Sequence, residues 1–254
     1  MAEPQPRKST LEEIRARFDA DVERFSQLET GQQATMDAAL VLETVASVAA
    51  QPLRPGARML DLGCGAGNFT LRIAGAAGER VAESHLLDLS RPMLERARER
   101  LLAAGHAEPH LYQTDLLSAS FPEAHFDLIV AGAVLHHLRD DAQWETFFSR
   151  LGRWLRPGGH LYVWDMVWFD DPATQEIMWQ RYAAYLDALG GDAYRQKVFA
   201  YIEREDTPRS LPYQIGLLQR SGFDRWEVLH RNSVFACYTA QRAGQERPGQ
   251  SGIA

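Results

Sequence analysis

Gly63, Gly65 and Gly67 stand at every second position, after the apolar run Met59, Leu60 and Leu62 and before a helix-like run from Phe69 to Ala77. Glycine permits positive φ and removes the Cβ atoms that would hold a ligand off the backbone. A loop of this kind, at the end of a strand and beside a helix N-terminus, is where open α/β sheets bind ligands. The spacing also excludes one ligand. A dinucleotide fingerprint needs a glycine where Asn68 stands. Asp61, two residues before the first glycine, would repel a pyrophosphate and suits a cationic amino-acid group instead. Asp88 ends the apolar run Val81 to Leu87 and follows Gly67 by 21 residues. That is the place of a carboxylate that holds ribose hydroxyls.

A second set of residues follows. His136 and His137 come after the continuous apolar run Phe126 to Ala131, and Asp165 ends the run from His160 to Trp164. Histidine suits a general base near neutral pH, which helps if an acceptor is a hydroxyl. A carboxylate on the neighbouring strand would orient the imidazole and stabilise its charged form. His136 is the first choice as base, His137 the second and Asp165 the partner.

The elements that must position these groups alternate as a doubly wound sheet does. Strands are expected at 57–62, 80–88, 109–114, 126–131 and 160–165, with helices at about 67–77, from Ser90 to before Gly105, and from Asp140. Upstream, residues 1–9 read as a disordered start. Leu11, Ile14, Phe18, Val22 and Phe25 recur at helical spacing behind a Thr10/Glu13 capping box, and a second helix is expected over 33–50. After strand five, residues 172–204 read as two aromatic-rich helices, a cap inserted at about 170–208. A helix at 209–221 and two strands, 225–230 and 233–240, complete seven strands. The domain is expected over 10–240, with 241–254 a disordered tail. The acidic run Glu203 to Asp206 reads as a solvated face.

Asp-Leu-Gly-Cys-Gly-Ala-Gly with Asp88 resembles the S-adenosylmethionine (SAM) pocket of class I SAM-dependent methyltransferases. The resemblance covers about residues 35–240. It implies an α/β, Rossmann-like seven-stranded sheet with N-terminal helices that close over cofactor or substrate, and SAM as cofactor with S-adenosylhomocysteine as product. It implies cofactor contacts from Asp61, Gly63, Cys64, Gly65, Gly67, Asp88, Leu89, Met93, Asp115, Leu116 and Ala131. Asp115 matches the acid that accepts from the adenine amino group. The His-His and Asp165 arrangement is similar to that of some sugar O-methyltransferases. Trp168, Trp179, Tyr182 and Tyr201, with Trp164 and Tyr213, are candidates to line the acceptor pocket. The C-terminal part also resembles carboxy-SAM synthases, dimers that use prephenate. Where their carboxylate-binding arginine is expected this chain has Phe199, and Lys197 lacks the guanidinium fork.

The 254 residues carry a formal charge of −7, which argues against an RNA substrate, since that needs a basic face. No apolar run is long enough to span a membrane, and the start lacks a signal core, so the expected place is the cytoplasm. Cys64 and Cys237 are too few for a disulfide framework or a zinc knuckle, and no metal site is expected. The reading is a small-molecule methyltransferase, with O-methylation favoured by the His/Asp pair. The alternatives are a carboxy-SAM synthase-like enzyme and a non-catalytic SAM-binding protein. A homodimer through the aromatic cap is the expected assembly.

Overall fold

The computed structural model describes residues 7–27 and 33–244. Its strands are β1 (Ala57–Leu62), β2 (Val81–Asp88), β3 (His110–Gln113), β4 (Phe126–Gly132), β5 (Leu155–Met166), β6 (Phe223–Asn232) and β7 (Phe235–Arg242). They form one sheet in the order β3-β2-β1-β4-β5-β7-β6. The first five run parallel, and β7 lies antiparallel between β5 and β6. This is the seven-stranded, doubly wound sheet that the sequence predicts.

The middle strands are apolar on both faces because helices cover both. Leu60, Leu62, Ile129, Ala131, Leu161 and Val163 point into one core, against α6 (Asp141–Trp154) and α8 (Leu211–Arg220). The alternate residues Met59, Leu128, Val130, Tyr162 and Trp164 point into the other, against α3 (Ala38–Ala50) and α4 (Asn68–Ala77). The period of two along a strand thus sorts one continuous apolar run into two layers. The strand order reverses between β1 and β4, so the loops after these strands diverge and leave a crevice.

Several expected boundaries move. The N-terminal helix is broken at Asp21 (φ −108°, ψ 13°) into α1 (Leu11–Ala20) and α2 (Val22–Ser26), and its Thr10/Glu13 capping box is present. The second helix starts at Ala38, because Asp37 takes a left-handed φ of 60°. Residues 28–32, between them, lie outside the described residues, as do 1–6 and 245–254. Residues 7–9 are described and are tethered, since Lys8 Nζ donates to the carbonyls of Glu203 (2.6 Å) and Asp206 (2.7 Å). Gln241 and Arg242, placed in the tail by sequence, belong to β7. β5 begins at Leu155 rather than after the glycines, and Arg156 closes the join by pairing with Asp127. The insertion after β5 is α7 (Pro172–Glu205), bent at Gly191 (φ 75°) into the two expected helices. None of the described helices is long and apolar enough to cross a membrane.

One glycine of α6 fixes how closely two helices approach. A Cβ at Gly152 would run into the backbone carbonyl of Ser221, at the end of α8. Gly152→Ala therefore must separate α6 from α8, at about 1–3 kcal/mol. Thermal unfolding should show the loss. Gly75→Ala, whose Cβ would meet nothing within 4 Å on α4, should be neutral or stabilising. Equal melting temperatures for the two variants would refute this account.

Candidate active site

A cavity of about 260 Å³ opens at the crevice. Gly63, Cys64 and Gly65 form its floor after β1, with Asp88 and Leu89 after β2. Met93 comes from α5 (Arg91–Ala103), and Asp115 and Leu116 from the loop after β3. Gly132, Ala133, Val134 and His137 follow β4. Leu11, Ile14, Phe18 and Phe25 of α1 and α2 close it from above. The N-terminal helices, not the inserted cap, cover the site.

The Asp88 carboxylate is buried at the floor. Its Oδ2 accepts from Gly65 N and its Oδ1 from Ser90 N, each at 2.9 Å. Burial pushes this carboxyl up to about 6, although both backbone donors favour its charge. Asp115 Oδ1 accepts from Leu117 N and Ser118 N at 2.9 Å, which holds that carboxyl below the usual range against the effect of burial.

Three expected cofactor residues lie elsewhere. Asp61 is sealed beneath the loop, where Thr70 Oγ1 donates to it at 2.6 Å, and burial pushes its carboxyl up to about 7. Gly67 does not line the cavity; it starts α4 in a left-handed conformation and lets α5 approach, a Cβ there meeting Ala97 Cβ at 3.0 Å. Ala131 is fully buried one residue before the wall begins at Gly132.

The structure brings His136 and Asp165 together. Asp165 Oδ1 contacts His136 Nδ1, while its Oδ2 accepts from Leu135 N at 2.6 Å. Yet His136 is only 8% exposed and does not line the cavity. Its Nε2 faces Asp206 Oδ1 at 3.7 Å. Burial disfavours the imidazolium, but Asp165 and then Asp206 outweigh it and raise His136 to about 9. A histidine already charged at neutral pH cannot accept a proton. His137 is the histidine on the cavity wall, with Nδ1 turned to Asp206 Oδ1 at 3.5 Å. Burial, then the His136 charge and two arginines, hold it well below the usual value, so it is neutral. Neither His137 Nδ1 nor Asp206 Oδ1 has a hydrogen-bond partner, although both are buried.

Asp206 is the residue that sequence reasoning missed. The run Glu203 to Asp206 looks solvated, yet Glu205 and Asp206 are 0% and 6% exposed. The bend of the chain after α7 turns them inward. Glu205 Oε1 takes Arg17 at 2.8 Å and the Ser9 hydroxyl, which fastens α1 over the cavity. Ser90 Oγ donates to Asp19 at 2.6 Å and forms a second latch on α1. Arg139 on the cavity wall donates to the carbonyls of Glu205 and Ser9.

The aromatic acceptor candidates do not reach the cavity. Trp168, Trp179 and Tyr182 pack on one another, with Phe199 stacked on Trp179 at 4.4 Å. Tyr182 is fully buried against Phe235, and its hydroxyl donates to Ala34 O at 2.8 Å. Tyr201 holds the Arg17 guanidinium over its ring. Trp164 lies in the core between sheet and helices, and Tyr213 packs against Trp144. Helical spacing of aromatics here records the docking of α7 on the sheet.

A methyltransferase-domain family matches residues 59–159. The chain is 31% identical over 179 residues to 27-O-demethylrifamycin SV methyltransferase of Amycolatopsis mediterranei, 66% of this chain and 64% of that protein. The match thus spans less than two thirds of that relative's length. It is 30% identical over 205 residues to carboxy-S-adenosyl-L-methionine synthase of Shewanella amazonensis, 79% of this chain and 82% of that one. Its fold is similar to that of a geranyl diphosphate methyltransferase solved in complex with GPP and sinefungin, at a TM-score of 0.58 and 13% identity, over 81% of this chain and 78% of the other.

Proposed function

The chain belongs to the class I SAM-dependent methyltransferase family, and on that premise we propose that it methylates a hydroxyl of a small, largely apolar molecule. The observation that carries this reading is the neutral His137 on the wall of a cavity roofed by apolar side chains, with the Asp206 carboxylate behind it.

The cavity fits the cofactor. Nothing stands within 4 Å of where a Cβ would be at Gly65, so the loop leaves its backbone bare beside the buried Asp88 carboxylate. Asp88 is placed to hold ribose hydroxyls, Leu89, Met93 and Leu116 to hold an adenine ring, and Asp115 its amino group. The backbone from Gly63 to Gly65 is placed to hold the amino-acid end. Asp61 braces the loop from beneath through Thr70. When bound, SAM supplies an electrophilic methyl group on a sulfonium.

The chain's own part is alignment and proton removal. His137 keeps Nδ1 toward Asp206, which leaves Nε2 to take the hydroxyl proton. The Asp206 carboxylate, which burial pushes up to about 6, is the anion that faces His137 as it takes the proton. His136 and Asp165 position the base. The α1–α2 roof sets apolar side chains over the cavity, and Ser9, Gln143 and Arg139 are among its polar lining.

The carboxy-SAM reading needs a free cation for a carboxylate near the methyl. Phe199 is stacked on Trp179, and neither it nor Lys197 lines the cavity. Arg139 does line it but is engaged by two carbonyls. A homodimer through α7 would have to use its exposed Ile177 and Leu189, since most of the aromatics pack within the chain; a monomer by light scattering removes it.

Calorimetry with SAM, and mass spectrometry of what co-purifies, test the reading. SAM binding followed by formation of S-adenosylhomocysteine with hydroxylated acceptors is expected. Recovered carboxy-SAM would overturn it in favour of the synthase. SAM binding without turnover on any hydroxyl acceptor would leave a SAM-binding protein.

A further inference from the structure

Away from the cavity, β2 and β3 bring a second set of ligating side chains together. Glu83 and His85 are two residues apart on β2 and share a face. His110 pairs with His85 in the parallel register and joins them. One ligand atom from each, two imidazole nitrogens and a carboxylate oxygen, lies within 4.8 Å of the others. We propose that this trio binds one divalent ion of the zinc class, through Glu83 Oε2, His85 Nε2 and a ring nitrogen of His110.

The donor set selects the ion. Two imidazoles and one carboxylate suit zinc and its transition-metal neighbours, whereas magnesium and calcium prefer all-oxygen shells. Glu83 Oε2 and His85 Nε2 are already 3.3 Å apart. Two ligands on a tetrahedral ion with bonds of about 2.0–2.2 Å stand at nearly that separation. His110 alone must turn, and it is exposed, with its ring stacked on that of His85 at 4.5 Å.

His85 is prepared for the role. It is buried, and its Nδ1 lies 2.9 Å from the Tyr112 hydroxyl. A proton on Nδ1 can be donated to that oxygen, which leaves the Nε2 lone pair aimed at the Glu83 side. A partner that fixes the tautomer in this way is the usual companion of a metal-bound histidine. Arg58 holds the other oxygen of Glu83, Oε1, at 3.2 Å, and Oε2 is left to His85 Nε2, a contact that the ion would replace. His125 stands edge-on to His85, 5.5 Å between ring centres, as the nearest further imidazole.

Such an ion would clamp the edge of the sheet. β3 has four residues and pairs with β2 alone, and β2 ends at Asp88. Binding to the folded chain therefore registers as added stability. The site is independent of the methyl-transfer reading and stands or falls without it.

The test uses the full chain, freed of any affinity tag and treated with chelator, titrated with zinc chloride alone. Calorimetry should give one ion per chain, and thermal unfolding should move upward with zinc. His110→Ala and Glu83→Gln, at exposed and half-exposed positions, should each weaken zinc about tenfold or more while SAM binding is unchanged. His137→Ala should leave the zinc isotherm as it was. Weak binding that never saturates at one equivalent, or that both strand variants leave unmoved, means an adventitious ion only and overturns the site. Loss of zinc in His137→Ala overturns it too, since the ion then sits at His136, His137 and Asp206.

Discussion

His137→Ala is expected to lower kcat by about 10²–10⁴-fold, the usual worth of a positioned general base, with SAM affinity little changed. The size follows from where the proton must go. His137 alone of the two histidines reaches the cavity, and it is neutral because burial and the neighbouring His136 charge keep it so. The acid limb of kcat/KM should therefore lie below pH 6.5, the ordinary value for histidine. A base whose value is lowered stays available to lower pH. An acid limb above 6.5, or turnover that survives in His137→Ala, would sink the assignment.

His136→Ala should behave differently, and the contrast separates base from support. That change leaves Asp165 and Asp206 buried without the cation between them, a kind of loss that costs about 3–5 kcal/mol. The folded-state value of His136, raised to about 9, also sets a pH window. Its contribution to stability is fully present below about 6.5 and is lost as pH rises through 9. The wild-type melting temperature should fall across that window, and the variant should lack this part of the fall. Asp206→Asn keeps the shape but removes the anion that faces both rings. It should slow turnover without abolishing SAM binding, and a kcat equal to wild type would make Asp206 structural only.

The sheet was readable because its signals are local. Short apolar stretches, each closed by a glycine or an aspartate, mark β1, β4 and the last residues of β2, and burial on both faces there is why they lack alternation. Asp88, Asp115 and the pairing of His136 with Asp165 follow from strand ends that the fold brings to one edge. What was not readable depends on long-range packing. Nothing in Glu203-Arg-Glu-Asp206 distinguishes an acid on a solvated face from one turned under α1, and that choice is made by Lys8, Ser9 and Arg17, nearly two hundred residues away. The aromatics of α7 misled for the same reason. Helical spacing gives a face but not the surface that it meets, and for Trp179 and Tyr182 the surface is the chain itself. Gly67 shows the limit within a motif: its left-handed turn serves the packing of α4 on α5.

Asp88→Ala is expected to weaken SAM by about 3 kcal/mol, roughly 100-fold, the worth of two hydrogen bonds to a charged acceptor. The carboxylate sits at the end of β2 with no cation paired to it among the described residues, held instead by two backbone N–H groups. Those donors orient both oxygens and leave each with a further lone pair for a hydroxyl. Because alanine also strands the Gly65 and Ser90 amides, Asp88→Asn is the necessary companion, since it keeps one acceptor and most of the shape. Affinity should also depend on pH. If only the charged form binds, a carboxyl that titrates near 6 reduces the competent fraction about tenfold at pH 5, and apparent affinity falls with it. Asp88→Asn should flatten that dependence, and Asp61, which burial pushes up to about 7 beneath the same loop, is a further source of slope. Calorimetry at pH 5 and pH 8 on wild type and variant decides it. SAM affinity that is equal at both pH values in the wild type, and unchanged in Asp88→Ala, would remove Asp88 from the cofactor site, and with it the ribose end of the pocket.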